Sequence, residues 1–485
     1  MIVSIETPVF KGKWLKKCID SVLTQSSKNW IFSLVWDGGD EESYAVLKEL
    51  EARNHPNVRV YFEENRGIAN ARHFLSERTE GDYILPLDDD DVLTADAVEK
   101  LSAFAELKPW SGIVRGLRKF IDEDGRVVDE EQWFPFEARH YQHGMVTDVF
   151  NHSQPYLINR AMYDRTEGWA GFEDFMFAGE DCDIILKLEE LGPIELIDEV
   201  LYYYRLNPNR ASDTLEVQGA HEMWRRLADI SIARIGLPIK RTNEVPPYTY
   251  ERLPLPRPDK AMIDFVIPLA STAEDSKHVT RHLEALKQQG ISEDAIHFIA
   301  PSDGSAIASY NRGFEQTNRP LICLLDEEAH IGDPDVFDTL LDVMHEQLAD
   351  IVGPKIVTDN GLISSADPCF DEDQLPVSSS PGESDEKQFD YTSDAKWLPA
   401  HVLLIRREVV NAVAGFDEAY ECKAIASADF CLKARVRDFK CLYTGKTAAI
   451  AEAHSHTKDV AASINRYHNK WIDHASLFYE QKNAG

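Results

Sequence analysis

The chain has 485 residues, of which 43% are hydrophobic and 10% aromatic, as is typical of folded globular domains. At about 150 residues per domain, two or three domains are expected, each large enough to bury a core. The formal charge of −33 at pH 7 would repel a phosphate backbone, which argues against nucleic acid as a partner.

Cysteine usage and hydropathy favour a cytoplasmic location. The seven cysteines have no CxxC spacing and therefore indicate neither a disulfide framework nor a zinc site. No apolar stretch approaches the roughly 20 residues that a transmembrane helix needs. The N-terminus enters a strand pattern without the features of a signal peptide. We expect no transmembrane segment, while peripheral association with the inner face of the membrane and the oligomeric state are left open.

Strands and helices alternate along the first half of the chain. Their patterns predict a strand at residues 2–5, an amphipathic helix at 14–23, and further strands at 30–36, 58–62 and 83–87. Such alternation is typical of a mostly parallel α/β sheet, in which ligands bind beyond the carboxyl ends of the strands. Those ends carry Thr7, Pro8, Asp37 and the acidic run at residues 88–91.

The pattern restarts after a proline-rich segment at residues 236–260, which predicts an extended linker. The predicted elements are strands at residues 263–268, 296–300 and 321–325 and a helix at 279–286. We interpret residues 1–235 and 261–485 as divergent copies of one α/β unit. Residues 371–396, rich in Ser, Asp, Glu and Gly, are expected to form an exposed loop.

The four consecutive aspartates at residues 88–91 are the strongest chemical signal in the chain. Carboxylates packed this closely repel one another unless a cation or protonation offsets the charge, and Mg²⁺ and Mn²⁺ prefer oxygen ligands. An isolated acidic run more often forms a solvated turn. Its position at the end of an apolar strand favours a metal site here.

Five motifs, taken together and in this order, resemble an inverting glycosyltransferase of family 2 with the GT-A fold. They lie at residues 3–10, 21–40, 65–72, 83–91 and 171–183, so the resemblance covers most of residues 1–215. It implies a nucleotide-sugar donor, a glycan or lipid-linked glycan acceptor, and Mn²⁺ or Mg²⁺ as the cofactor. We therefore expect two tandem GT-A domains, the first of them catalytic.

The resemblance also assigns roles to individual residues. Asp37 would contact the nucleobase, Asp88 the ribose side of the nucleotide, and Asp90 the metal that bridges the diphosphate. Asp181, next to Glu180, would be the general base, although acids at a helix start can also serve only the helix dipole. The implied donor-binding residues are Thr7, Pro8, Asp37, Arg72, Asp88 and Asp89, and the implied metal ligands are Asp90, Asp91 and Asn207.

Asn207 marks a departure from the family. Members often carry a histidine at this point that completes the metal shell, whereas this chain has Asn207 after the segment 202–205. An amide oxygen is a weaker ligand than an imidazole for such a metal. The third protein ligand is therefore the least well supported part of the expected site.

The second half resembles the same family with several members of the site replaced. Asp303, Asp326 and Glu328 correspond to Asp37, Asp88 and Asp90, and His454 offers an imidazole. Three other positions are changed, since Tyr310, Ala329 and Ser427 stand where the first half has Arg72, Asp91 and Asp181. Because a serine without a base of its own cannot accept the acceptor proton, we expect a degenerate copy or acceptor-binding module.

Three functions are compatible with this sequence. The first is a metal-dependent inverting glycosyltransferase, which would serve the synthesis of a bacterial surface polysaccharide. The second is a bifunctional transferase or polymerase in which both halves are active. The third is a scaffold that binds glycan or nucleotide without catalysis.

Overall fold

The computed structural model describes residues 1–128, 154–169, 179–192, 194–206, 217–236, 239–244, 249–269, 277–300, 306–437, 439–451 and 460–471. The chain divides into two compact units. Unit 1 comprises Met1–Arg234 and Arg241–Tyr250, and unit 2 comprises Ile235–Lys240 and Glu251–Gly485. Within the described residues, no helix is long and apolar enough to cross a bilayer.

Unit 1 is an α/β structure built on one sheet. Its strands are β1 (Val3–Val9), β2 (Trp30–Asp37), β3 (Val58–Glu63), β4 (Tyr83–Pro86), β5 (Val92–Leu93), β6 (Ile113–Ile121), β7 (Tyr156–Asn159) and β8 (Ile194–Arg205). Its helices are α1 (Leu15–Leu23), α2 (Glu41–Ala52), α3 (Ile68–Arg78), α4 (Ala97–Leu107), α5 (Arg160–Tyr163), α6 (Glu180–Glu189) and α7 (Val217–Ile235).

The sheet of unit 1 has the strand order β3-β2-β1-β4-β7-β6-β8-β5. Strands β3, β2, β1 and β4 are parallel, β7 is antiparallel to both β4 and β6, and β6 is parallel to β8. The central strand β1 is buried along nearly its whole length, as its β-branched residues favour. The carboxyl ends of the parallel strands therefore meet at one edge, where the acidic run begins.

A buried carboxylate on the central strand ties unit 1 together. Glu6 of β1 accepts hydrogen bonds from Ser76 and Thr79, each at 2.6 Å, and lies 3.4 Å from Arg160. Burial raises the pKa of Glu6, while the hydroxyl groups and the Arg160 charge oppose that rise. One side chain thus joins β1 to α3 and to the start of α5.

Two short strands, β9 (Ile239–Arg241) and β10 (Tyr250–Arg252), pair with each other in the segment predicted to be a linker. The amide of Thr242 also donates to the carbonyl of Thr249 at 2.8 Å. The segment is therefore extended, as its prolines led us to expect, and parts of it are paired. Its role as a linker between domains stays a prediction.

Unit 2 is a second α/β structure. Its strands are β11 (Ile263–Pro268), β12 (Ile296–Ile299), β13 (Leu321–Leu325), β14 (Ile351–Val357), β15 (Ile363–Phe370), β16 (Pro376–Ser379), β17 (Thr392–Asp394), β18 (Val402–Arg406) and β19 (Cys441–Ile450). Its helices are α8 (Lys277–Gln288), α9 (Ala306–Glu315), α10 (Val336–Glu346), α11 (Arg407–Val413), α12 (Lys423–Arg435) and α13 (Val460–Trp471).

Six strands of unit 2 repeat the order and the directions of six strands of unit 1. The path β12-β11-β13-β18-β14, continued by β19 on β14, matches β2-β1-β4-β7-β6-β8. In both sheets the first three strands are parallel, the fourth is antiparallel to both neighbours, and the last pair is parallel. The expected fold class, two tandem α/β domains of one type, is confirmed.

The second copy is shorter than the first. In unit 1 the chain forms α2 and β3 between the end of β2 and the start of α3. In unit 2 it runs from Ile299 of β12 to Ala306 of α9, which is too short a distance for a helix and a strand. Within the described residues, unit 2 therefore has no counterpart of the edge strand β3, and β12 lies at the edge of its sheet.

Most predicted elements lie where the sequence placed them, within two to four residues at their ends. The expected loop at residues 371–396 was wrong, because it contains β16 and β17. Its acidic side chains also have a role that composition did not reveal. Asp385 and Asp390 both pair with Lys355, which is buried in β14.

Removal of the Glu6 carboxylate tests how far unit 1 depends on it. We expect Glu6→Ala to lower the free energy of unfolding of unit 1 by about 3–5 kcal/mol, because it leaves three hydroxyl groups without this acceptor and Arg160 without its carboxylate. Ser4→Ala is the matched control: it removes one hydrogen bond to the same carboxylate and should cost about 1 kcal/mol. Scanning calorimetry measures both, and equal losses would contradict the central role of Glu6.

Candidate active site

The loop that follows β1, at the carboxyl edge of the sheet, forms hydrogen bonds with two neighbouring loops. The Asp89 carboxylate accepts hydrogen bonds from the backbone amides of Phe10 and Lys11 at 3.0 and 3.3 Å. The carbonyl of Phe10 accepts from the amide of Asp40. The loops that follow β1, β2 and β4 are therefore connected, as expected for strand ends that share one edge.

Asp37 closes the second of these loops. It is buried at the end of β2, and its Oδ1 accepts a hydrogen bond from the amide of Arg66 at 2.9 Å. Thr7 and Pro8 lie in β1, where Thr7 is fully buried and Pro8 half-buried. Asp37, Thr7 and Pro8 all lie in the neighbourhood of the acidic run, while their contacts with a donor stay a prediction.

Arg72 is the central cation of this edge. Its Nη2 donates to Asp88 Oδ1 at 2.8 Å, and its Nε lies 3.5 Å from Glu180 Oε1. Its guanidinium lies 5.2 Å from the ring centre of Trp169. Burial alone would lower the pKa of Arg72, but the charges of Asp88, Glu180 and Asp181 raise it above its ordinary value.

A chain of polar side chains extends from Arg72 toward β8. Asp88 Oδ2 accepts from Gln154 Nε2 at 3.1 Å, and Gln154 Oε1 contacts the Tyr202 hydroxyl. That hydroxyl also lies 2.7 Å from Asp91 Oδ2. A single hydroxyl proton cannot serve two acceptors, so the Tyr202 contacts are best satisfied when Asp91 carries a proton.

Both carboxylate oxygens of Asp91 have protein partners. Oδ1 accepts from the amide of Arg205 at 2.7 Å, and Oδ2 lies against Tyr202. Burial, together with the charges of Asp90 and Asp88, raises the pKa of Asp91 well above its ordinary value. Asp91 therefore fastens the acidic turn to β8, and its assignment as a metal ligand stays a prediction.

The acidic turn suits a cation that is shared with a ligand better than a metal cage made of protein alone. Within the described residues, no three His, Cys, Asp or Glu side chains converge. Burial and the Asp90 charge raise the pKa of Asp89 to about 8, which reflects an excess of negative charge. Mg²⁺ commonly binds through one or two carboxylates plus substrate phosphates, and Asp88 and Asp90 fit that use.

Helix α6 brings two further acids to the site. It begins after Gly179, whose φ of +91° and whose close approach to Met223 exclude a side chain. Glu180 and Asp181 occupy its first turn, where the helix dipole favours carboxylates. Burial and the charge of Asp181 raise the pKa of Glu180 to about 7, against the opposing effect of Arg72.

Several residues of this cluster were missed by sequence reasoning. Gln154, Tyr156, Trp169, Tyr202 and Arg205 are uncharged or lie outside the recognised motifs, yet each contacts or borders the acidic turn or Arg72. The only signal for Tyr202 and Arg205 was their place in the segment that precedes Asn207. Asn207 itself lies outside the described residues.

The matching edge of unit 2 retains the acid and replaces the cation. Asp326 lies at the end of β13 as Asp88 does at the end of β4, and it is 2% exposed. The Tyr310 hydroxyl, in the place of Arg72, donates to Asp326 Oδ2 at 3.3 Å. Lys423 of α12 lies 2.6 Å from the same oxygen and supplies the positive charge. The negative charge of Asp326 is thus offset by a lysine of the same unit.

Helix α12 corresponds to α6, and the likeness extends to individual contacts. Lys187 pairs with Asp183 one helical turn earlier at 2.6 Å and donates to the carbonyl of Gly168. In unit 2, Lys433 lies 3.6 Å from Asp429 and donates to the carbonyl of Gly415. This alignment places Ala426 and Ser427 at the positions of Glu180 and Asp181.

The alignment extends to the segment before this helix. Gly415 and Phe416 occupy the places of Gly168 and Trp169, since the Trp169 ring lies 5.2 Å from the Arg72 guanidinium and Phe416 packs on Tyr310 with ring centres 5.1 Å apart.

Ser427 does not face a cleft. It is fully buried, and its hydroxyl donates to the carbonyl of Leu398 at 2.5 Å. Glu328 is exposed, and its amide donates to Asp326 Oδ1 at 3.1 Å. Asp303 and His454, the other residues expected at a second site, lie outside the described residues.

Comparisons with known proteins agree with this architecture. Residues 4–167 match the family model described as Glycosyl transferase family 2. A chondroitin synthase of Escherichia coli is 27% identical over 260 residues, which cover 52% of this chain and 36% of that protein. The uncharacterized protein y4gI of Sinorhizobium fredii is 23% identical over 484 residues, which cover 91% of this chain and 52% of that protein.

The chain spans between about a third and a half of the length of these two relatives. Among solved structures, S. aureus TarS in complex with UDP-GlcNAc matches 48% of this chain and 66% of that chain, at 18% identity and a TM-score of 0.37. The family match lies in unit 1 and includes Arg72 and the acidic turn. The chain therefore carries a glycosyltransferase family 2 domain at residues 4–167, within unit 1.

Proposed function

We propose that unit 1 transfers a sugar from a nucleotide-sugar donor to a glycan or lipid-linked glycan acceptor, with inversion at the anomeric carbon. The observation that carries this proposal is the cluster of Arg72, Asp88 and Glu180 at the carboxyl edge of the sheet. Two of its three members lie within the family 2 match. The chondroitin synthase relative supports a role in the synthesis of a bacterial surface polysaccharide.

Donor binding would use the loops that meet at this edge. Asp37 would contact the nucleobase, Asp88 and Arg72 the sugar nucleotide, and Asp89 would act indirectly by holding the first loop. The buried Arg72 is already oriented by Asp88 and Trp169, so little side-chain entropy is lost when a ligand binds.

Asp90, together with Asp88, would hold a divalent cation between the protein and the diphosphate of the donor. When bound, such a cation stabilises the negative charge that develops on the leaving nucleoside diphosphate. The oxygen donors and the excess negative charge of the turn support this assignment. Asn207, outside the described residues, stays a candidate for a further ligand.

Asp181 would be the general base. It would take the proton from an acceptor hydroxyl while that oxygen attacks the anomeric carbon from the face opposite the leaving group. A single displacement of this kind inverts the configuration. Glu180, which lies between Asp181 and Arg72, would keep Arg72 in place and prevent Asp181 from pairing with it.

We infer that unit 2 is a degenerate copy that does not transfer sugar. Ser427, at the position of the base, is buried and already bonded to a carbonyl. Lys423 forms an ion pair with Asp326, the acid that corresponds to Asp88. A role in binding the acceptor is compatible with both observations, whereas a second active transferase would need a base from elsewhere.

The first test of the proposed function is release of a nucleoside diphosphate from nucleotide sugars in the presence of Mn²⁺. We expect Asp90→Ala to abolish release and leave the fold intact, because it removes a ligand and also relieves repulsion in the acidic turn. Glu328→Gln is the matched control: it changes the corresponding acid of unit 2 and should leave the rate unchanged. A wild-type enzyme that releases nothing from any donor would favour the scaffold function.

The second test separates chemistry from donor binding. We expect Asp181→Asn to lower kcat by about 100-fold or more, as is usual when a general base is removed, with little change in the affinity for the nucleoside diphosphate. Calorimetric titration measures the affinity. A large loss of nucleotide affinity would place Asp181 in the donor site and leave the scheme without its base.

A third test concerns the internal cation of unit 2. We expect Lys423→Met to lower the free energy of unfolding of unit 2 by about 2–3 kcal/mol, because it leaves the buried Asp326 without its positive partner. Sugar transfer should not change. Lys446→Met, at an exposed position, is the control and should stay within about 0.5 kcal/mol. Urea titration measures both variants, and recovery in Lys423→Met with Asp326→Asn would confirm the cause.

A further inference from the structure

Two buried polar atoms beside the acids of α6 have no hydrogen-bond partner among the described residues. They are Nη1 of Arg72 and the hydroxyl oxygen of Tyr156. Tyr156 is 2% exposed and Arg72 is 3% exposed. An unsatisfied buried polar group costs about 1–3 kcal/mol, and such groups in a folded protein require an explanation.

The two atoms belong to one place in the molecule. The Tyr156 hydroxyl interacts electrostatically with Arg72 and with the carboxylates of Asp88, Glu180 and Asp181. Gln154, which contacts Asp88, lies two positions before Tyr156 in the chain. Burial raises the pKa of Tyr156 well above its ordinary value, so its hydroxyl keeps its proton as a donor.

Unit 2 provides an internal comparison for Tyr156. In unit 1, Asn159 of β7 pairs with Tyr83, the first residue of the strand that leads to Asp88. In unit 2, Arg406 of β18 pairs with Leu321, the first residue of the strand that leads to Asp326. Counting back equally far from Asn159 and from Arg406 gives Tyr156 in unit 1 and Leu403 in unit 2. Unit 2 thus has a leucine where unit 1 has the unpartnered tyrosine.

The replacements between the two units follow a pattern. Residues that support the fold are kept, as the pairs Asp183–Lys187 and Asp429–Lys433 show. The polar groups around Tyr156 are exchanged together, since Arg72, Tyr156, Glu180 and Asp181 correspond to Tyr310, Leu403, Ala426 and Ser427. A tyrosine hydroxyl that only supported the fold would be expected to be kept in both units. Tyr156 is instead replaced together with the residues assigned to the reaction.

We propose that Tyr156 and Nη1 of Arg72 form a subsite that binds a hydroxyl group of the transferred sugar. A further anion would be repelled by Glu180 and Asp181, whereas a neutral hydroxyl can accept from Arg72 or Tyr156 and donate to a carboxylate. This inference rests on the proposed function, because it takes a nucleotide sugar as the ligand. It assigns Tyr156 a binding role that the recognised motifs do not contain.

Glu180 borders this subsite. The separation of 3.5 Å between Arg72 Nε and Glu180 Oε1 is too long for a full hydrogen bond, so Glu180 is held mainly by charge. A sugar hydroxyl at the subsite would give Nη1 of Arg72 and the Tyr156 hydroxyl the partner that they lack among the described residues.

Tyr156→Phe tests the subsite, because it removes the hydroxyl and keeps the ring. Tyr163→Phe is the matched control, since Tyr163 is also buried in the same apolar cluster and its hydroxyl interacts with Ser76 and Glu6. The probes are nucleoside diphosphates and the corresponding nucleotide sugars, titrated with Mn²⁺ into the full chain. We expect Tyr156→Phe to weaken nucleotide-sugar binding by about 3- to 10-fold and to leave nucleoside diphosphate binding unchanged.

The thermal midpoint of the ligand-free protein gives an independent readout. Because the Tyr156 hydroxyl is unsatisfied without ligand, its removal should leave the midpoint unchanged or raise it. Equal affinity of wild type and Tyr156→Phe for the nucleotide sugar, or a lower midpoint with unchanged affinity, would overturn the subsite. Absence of any nucleotide binding by the wild type would instead overturn the proposed function.

Discussion

The arrangement of unit 1 depends on how the charge of four consecutive aspartates is offset. The turn at residues 88–91 places these carboxylates at the end of a buried strand, where their mutual repulsion is strong. Three of these carboxylates are held by different groups: Asp88 by Arg72, Asp89 by two backbone amides, and Asp91 by Tyr202 and the Arg205 amide. The loops and strands that supply these groups are thereby fixed around the turn.

The backbone of the turn is held as well as its side chains. The carbonyl of Asp90 accepts a hydrogen bond from Arg205 Nε at 2.7 Å. A cation shared with a diphosphate would therefore meet a turn whose shape is already set. Such preorganisation reduces the reorganisation needed when a ligand arrives.

Sequence patterns were sufficient for the strands and for the order of the motifs, because both depend on local periodicity and spacing. They were insufficient for the direction of individual side chains. The contacts of Asp91 with the Tyr202 hydroxyl and the Arg205 amide, for example, have no signal in the sequence. Tyr156 and Gln154 escaped notice since a neutral residue in a strand carries no local mark of its contacts. The Lys423–Asp326 pair joins positions far apart in the chain, which no motif connects.

The shortened second copy changes which strand is left at the border of its sheet. In the part of the chain that the structure describes, β12 pairs with β11 alone, and an unpaired side of a strand is a template for association with other chains. β12 spans only Ile296–Ile299, and its His297 is held by Asp264 of the neighbouring strand. A short edge strand offers few backbone groups to another chain. The short length of β12 therefore limits self-association during synthesis in a unit whose described part lacks the counterparts of α2 and β3.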